Sequence, residues 1–140
     1  MRVLWVWAHP DRRSLNGALR DVGVATLRDH GHEVVESDLY RMGWNPVVDH
    51  EDFAHDPDER LCVLEESERA LRAGTLSDDI RREQAKLCWA DTLVVQFPLW
   101  WFGMPAILKG WFDRVFVKGF AYGVTDPHNP GRTLRYGRGG

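Results

Sequence analysis

Along this chain, short contiguous apolar runs alternate with longer stretches in which apolar residues recur every three or four positions, the pattern of buried strands separated by helices. Val3-Leu4-Trp5-Val6-Trp7-Ala8 predicts a first strand, followed by the polar turn His9 to Ser14. Leu15, Leu19, Val22 and Thr26 fall at helical spacing and predict a helix from Leu15 to Asp29. Ser14 is its expected N-cap, and Gly31 is placed to end it in the left-handed conformation. Glu33 to Leu39, of mixed polarity, predicts a second strand that flanks the sheet rather than centring it. This βαβ opening implies parallel strands joined by right-handed crossovers.

From Arg41 to Asp58 the pattern loses periodicity and is read as a long surface excursion. Helices are then predicted from Glu59 to Ala73 and from Asp78 to Trp89, the second capped by Ser77 with Asp78 and Asp79 favourable to its dipole. Thr92-Leu93-Val94-Val95-Gln96-Phe97 predicts a third strand, which Pro98 ends by removing a ladder donor. Pro105 suits the first turn of a further helix, and Ile107, Leu108, Trp111, Phe112, Val115 and Phe116 recur on one face of it. Gly119 to Gly140 reads as turns rich in Gly, Pro and Arg. Residues 1–140 are expected to form a single α/β domain.

The loop between the third strand and its helix carries Pro98, Leu99, Trp100, Trp101, Phe102 and Gly103. In open α/β sheets such loops form the ligand crevice, and exposed ring faces there would stack on a planar heterocycle. The competing reading makes these rings core or an oligomer contact. The chain has seven tryptophans, and three of them (Trp100, Trp101, Trp111) lie in or just after this loop, which adds weight to it.

Composition narrows the classes. Hydrophobic residues make up 44% and charged residues 28%, ordinary for a globular chain, and a net charge of −3 gives no argument for nucleic acid. No apolar run approaches the roughly 20 residues needed to cross a bilayer, and the N-terminus leads straight into a strand pattern, so a cytoplasmic protein without membrane insertion is expected. Cys62 and Cys88 have no second thiol pair and are read as reduced thiols in helices.

The first strand's loop is a second candidate site. Ser14 and Asn16 stand at a helix start, where unpaired backbone N–H groups and a positive dipole end suit a phosphate, with Arg12 and Arg13 adding charge. Against this, Ser14 serves equally as a plain helix cap, and the loop lacks a glycine-rich fingerprint. In a 2-1-3 sheet both loops open on one crevice, so a phosphate at one end and a stacked ring at the other describe a nucleotide-like cofactor. His9 ends the first strand and is placed to touch it. His50, His55, Asp49, Asp52, Asp56 and Asp58 look superficially like metal ligands, but their spacing matches no closed site, and no metal is expected.

Several blocks resemble the flavodoxin-like NAD(P)H:quinone oxidoreductases of the DT-diaphorase type. They are His9 with Ser14-Leu15-Asn16; Val34 to Tyr40; Asn45-Pro46; Leu76 to Ile80; Gln96 to Leu99 with Trp101-Phe102-Gly103; Pro105 to Phe112; and Phe120-Ala121-Tyr122. The resemblance implies a flavodoxin-like three-layer α/β sandwich with a parallel sheet, and FAD rather than FMN as cofactor. It implies phosphates held by Ser14, Leu15 and Asn16 near His9, with the flavin ring along Pro98, Leu99, Trp100, Trp101 and Phe102. NAD(P)H would reduce the flavin and leave, and a quinone would enter the same pocket to take two electrons. Trp101, Phe102, Ala121, Tyr122 and Gly123 would wall that pocket. Tyr122 would serve a neighbouring subunit's site, so a homodimer is implied, and no catalytic residue is assigned among residues 1–140.

The chain also departs from the family pattern. A flavin-contacting glutamine is matched by Cys62, and a second pocket tyrosine by Val124. The family continues past Gly140 into a fourth strand, a glycine-rich loop against the flavin, tyrosine and histidine groups of the active site, and a fifth strand. The expectation is therefore strands 1–3 of a 2-1-3-4-5 sheet, with Leu93-Val94-Val95 as an open edge. Two further readings follow: an accessory subunit of a potassium-efflux transporter, or a truncated homologue without activity.

Overall fold

The computed structural model describes residues 1–126 and 129–134. Strand β1 (Arg2–Trp7) leads into helix α1 (Leu15–Asp29) and strand β2 (Glu33–Asp38). Helices α2 (Val63–Ala73) and α3 (Asp78–Trp89), strand β3 (Thr92–Gln96) and helix α4 (Ala106–Val115) follow. The three strands form a parallel sheet in the order β2-β1-β3, with Trp7 opposite Asp38 on one side and Gln96 on the other. The 2-1-3 arrangement expected from the pattern is present, with β2 flanking.

Alternate residues of β1 divide between two faces. Leu4, Val6 and Ala8 join Ile80, Leu108, Trp111 and Val115 in the main buried cluster, so α3 and α4 cover that face. Trp5 turns the other way, against α1. Gly23 makes this approach possible: a Cβ there would overlap the Trp5 ring. Helix α1 has the predicted bounds and cap, with the Ser14 hydroxyl accepting the Gly17 amide at 3.0 Å. Its face differs from expectation. Leu15, Leu19 and Val22 point to solvent, while Gly17 and Val24 are the buried positions. The close glycine contact with the sheet decided the rotation, and the stripe of larger side chains did not.

The stretch from Arg41 to Asp58 is not a surface excursion. Trp44, Asp52 and Phe53 are buried, and a 3₁₀ turn (His50–Phe53) is closed by a reciprocal capping box between Asp49 and Asp52. A partner far along the chain organises it. The buried Arg114 of α4 donates to both Asp52 oxygens (2.7 and 3.1 Å), to Asp79 and to the Asn45 carbonyl, and lies 4.7 Å over the Trp44 ring. Asp52 is thus committed to Arg114, and His55 faces Glu66 at 3.0 Å.

Helix α2 begins four residues later than expected, at Val63, after a turn in which the Glu59 amide bonds the Asp56 carbonyl. Ser77 precedes α3 as expected, but its hydroxyl donates to Asp79 rather than capping a helix amide, because Asp79 is part of the Arg114 cluster. Cys62 and Cys88 are exposed free thiols; Cys88 lies in α3, whereas Cys62 precedes α2. The stretch after Gly119, read from the sequence as turns, instead holds an antiparallel pair, β4 (Val124–Asp126) and β5 (Asn129–Leu134), in a sheet of its own, and residues 127–128 and 135–140 lie outside the described residues.

Candidate functional site

The register pairing Trp7 with Gln96 ends β1 and β3 at the same level, so their loops leave the sheet side by side. The Ala8 amide extends the ladder by one bond to the Gln96 carbonyl (3.1 Å). His9 then bridges the two loops, its ring centroid 6.3 Å from Trp7 and 6.4 Å from Trp100. His9 Nδ1 is held by the Asp11 backbone, 3.0 Å from its amide and 2.9 Å from its carbonyl, which leaves Nε2 directed away from that turn.

In the first loop, Ser14 serves as the cap and its hydroxyl also donates to the Asp11 carbonyl (2.7 Å). Asn16 Oδ1 accepts the Trp7 indole N–H at 2.8 Å. Arg13 is bound by Asp11, whose carboxyl is held below its ordinary pKa by the hydrogen bonds from the Arg13 side chain and amide. Arg13 is therefore engaged locally, whereas Arg12 is exposed and has no ion-pair partner among the described residues. Leu15 is 77% exposed. Beside His9, a cleft of about 380 Å³ is lined by Pro10, Arg12, Asp38, Tyr40 and Arg41.

The second loop has a geometry that composition alone does not disclose. Trp100 and Gly103 exchange both backbone hydrogen bonds (2.9 and 3.0 Å), closing a two-residue turn whose central residues are Trp101 and Phe102. Both have positive φ, 50° and 60°. That is the backbone of a type I′ turn, which normally takes Asn-Gly because each L side chain there costs about 1 kcal/mol or more. Trp101 is 97% exposed and Phe102 93%, so no burial within the chain offsets the cost. The core reading of these rings is thereby removed, while Trp111 does belong to the core.

Ala121, Tyr122 and Gly123 lie elsewhere. Helix α4 runs back along the sheet, and Ala121 lines an apolar recess of about 160 Å³ with Leu87, Leu93, Phe116 and Phe120, near the start of β3. Tyr122, half exposed, sits in a turn closed by the Gly119 amide on its carbonyl (2.7 Å). These residues are toward the end of the sheet opposite the two loops.

Sequence reasoning missed Gln96 as a connector. Its side chain accepts from Trp5 Nε1 (3.0 Å) and donates to the Asn16 carbonyl (2.7 Å), joining β1, β3 and α1. The available signal was a polar amide at the end of an otherwise apolar run.

Comparison with known proteins agrees with this architecture. A family model described as a flavodoxin-like fold matches residues 1–139. A ribosyldihydronicotinamide dehydrogenase-like protein of Penicillium crustosum is 49% identical over 140 residues, which is 99% of this chain and 52% of that protein. The NAD(P)H dehydrogenase (quinone) 1 of Rattus norvegicus is 48% identical, over 93% of this chain and 48% of its own length. A solved structure assigned as a quinone reductase from Klebsiella pneumoniae superimposes with a TM-score of 0.88 at 48% identity, covering 100% of this chain and 54% of that one. The chain thus spans about half the length of the curated relatives it matches.

Proposed function

This chain belongs to the flavodoxin-like fold family, and from that premise we propose that it acts as an FAD-dependent NAD(P)H:quinone oxidoreductase. The observation that carries the proposal is the Trp101-Phe102 turn. Two exposed rings are held in a costly backbone conformation at the C-terminal end of a parallel strand, beside the start of α1. Strain of this kind persists where surrounding structure imposes it, and it clusters at ligand sites.

The residues present fit a flavin dinucleotide. The hydrogen bonds of α1's first turn engage the Gly17 and Ala18 amides, so the Leu15 and Asn16 amides point onward as donors for a diphosphate, with Arg12 as counter-charge. Pro98, Leu99, Trp100, Trp101 and Phe102 supply an apolar platform for the ring system, and His9 offers Nε2 as a polar contact between the two loops. When bound, the flavin supplies the two-electron redox chemistry that side chains lack. The protein's part is to orient the ring, exclude water from one face and leave the other to a nicotinamide or quinone in turn. Trp101 and Phe102 border that open face.

A homodimer belongs to the same proposal. Tyr122, half exposed between the partly buried Ala121 and Gly123, lies too far along the sheet to serve its own crevice and in this reading serves a partner's. A cytoplasmic location accompanies it, and no described helix is long and apolar enough to cross a membrane.

The test is a titration of the purified chain with FAD and with FMN, followed by NADH or NADPH oxidation with a quinone acceptor. Saturable FAD binding and quinone-dependent turnover are expected. Folded protein that binds neither flavin would refute the proposal.

A further inference from the structure

Two indole N–H groups and one glutamine amide tie together the elements that carry the two loops. Trp5 Nε1 donates to Gln96 Oε1, Gln96 Nε2 donates to the Asn16 backbone carbonyl, and Trp7 Nε1 donates to the Asn16 side-chain oxygen. The orientation of the amide is set by chemistry, because an indole N–H only donates and a carbonyl only accepts. The bonds measure 3.0, 2.7 and 2.8 Å; Trp7 is buried and Trp5, Asn16 and Gln96 are partly buried.

We propose that Gln96 is a positioning residue for the cofactor. Through the Asn16 carbonyl it fixes the first turn of α1, and hence the Leu15 and Asn16 amides, relative to the aromatic turn that follows β3. A donor on that carbonyl also polarises the Asn16–Gly17 peptide. The inference rests on the flavin reading above. It adds that affinity for flavin depends on one side-chain hydrogen bond that touches no ligand.

Gln96→Glu separates this role from a merely structural one. Ionised, the new carboxylate still accepts from Trp5 but turns a lone pair on the Asn16 carbonyl. Protonated, it donates as the amide does. The charged and titratable groups around the relay are Arg20, which lies 5.5 Å over the Trp7 ring and pairs with Asp21 and Glu36, and His9, stacked on Trp7. These are common to both proteins and cancel in the ratio of dissociation constants, Q96E over wild type.

That ratio is expected to be smallest at the acid end of the pH range, where more of the carboxyl is protonated, and to rise to about tenfold near about pH 8, the loss of one part-buried hydrogen bond. Gln96→Met, close in shape but unable to bond, should weaken FAD binding about tenfold at every pH. Melting curves for both variants establish that folded protein is being measured, and the Met variant carries the test if Q96E does not fold. Wild-type binding with a flat Q96E ratio, or with unchanged affinity in Q96M, would overturn the positioning role and leave the flavin reading standing. Absence of flavin binding by folded wild type would overturn both.

Discussion

Replacing Trp101-Phe102 with Asn-Gly should make the protein more stable and the site worse. Both residues have left-handed φ, at 50° and 60°, and Asn and Gly tolerate that region where large L side chains do not. With roughly 1 kcal/mol of relief per position, the double variant gains about 2 kcal/mol. Little opposes this, since the removed rings are 97% and 93% exposed. For a chain of this size the gain corresponds to a rise in Tm of roughly 6 °C. The same change removes two stacking faces worth about 1 kcal/mol each, so FAD should bind about 30-fold more weakly. Differential scanning calorimetry and flavin titration on the same preparation read both effects. A Tm that falls would mean the rings pack within the protein, and unchanged flavin affinity would mean the turn is strained for some other ligand or surface.

Three other perturbations probe the scaffold. Arg114→Met leaves the buried Asp52 carboxyl without its guanidinium partner, and urea unfolding should show a loss of about 3–5 kcal/mol. Burial opposes the charge on Asp79, but hydrogen bonds from Arg114 and Ser77 outweigh it and hold the carboxyl below its ordinary range. A depressed folded pKa gives stability present above the unfolded value and lost as pH falls through the folded one, so the urea midpoint should drop below about pH 4, less steeply in Asp79→Asn. Gly110→Ala should lower Tm although alanine favours helix by about 1 kcal/mol, because the new Cβ meets the Pro46 backbone; overpacking of about 1–3 kcal/mol wins. A raised Tm there would show that the Asn45-Pro46 loop yields.

The three parallel strands to within a residue at their ends, the 2-1-3 order and the bounds of α1 and α3 were legible because they follow from local spacing and caps, whereas the β4–β5 pair was read as turns. The face of α1 was not, since Leu15, Leu19 and Val22 form as good a stripe as the buried side, and only contact with Trp5 shows which face Gly23 brings inward. The burial of Trp44, Asp52 and Phe53 was illegible for a similar reason. It depends on Arg114, 62 positions beyond Asp52, and nothing near Asp52 announces a guanidinium. At the candidate site the rings could be read as rings. Their left-handed backbone could not, because Trp-Phe is among the last pairs that turn preferences would place there.

The central position of β1 also bears on synthesis. Its two neighbours lie on the same side of it in sequence, and some fifty residues separate the end of β2 from the start of β3. At about 5–20 residues per second, a ribosome exposes β1 and β2 for roughly 3–10 s before β3 emerges. During that interval one edge of β1 is open and the Trp5 indole N–H has no Gln96 oxygen to accept its hydrogen bond. The nascent chain thus passes through a sticky two-stranded stage, where a chaperone or a second nascent copy competes with the chain's own later segment for the same backbone.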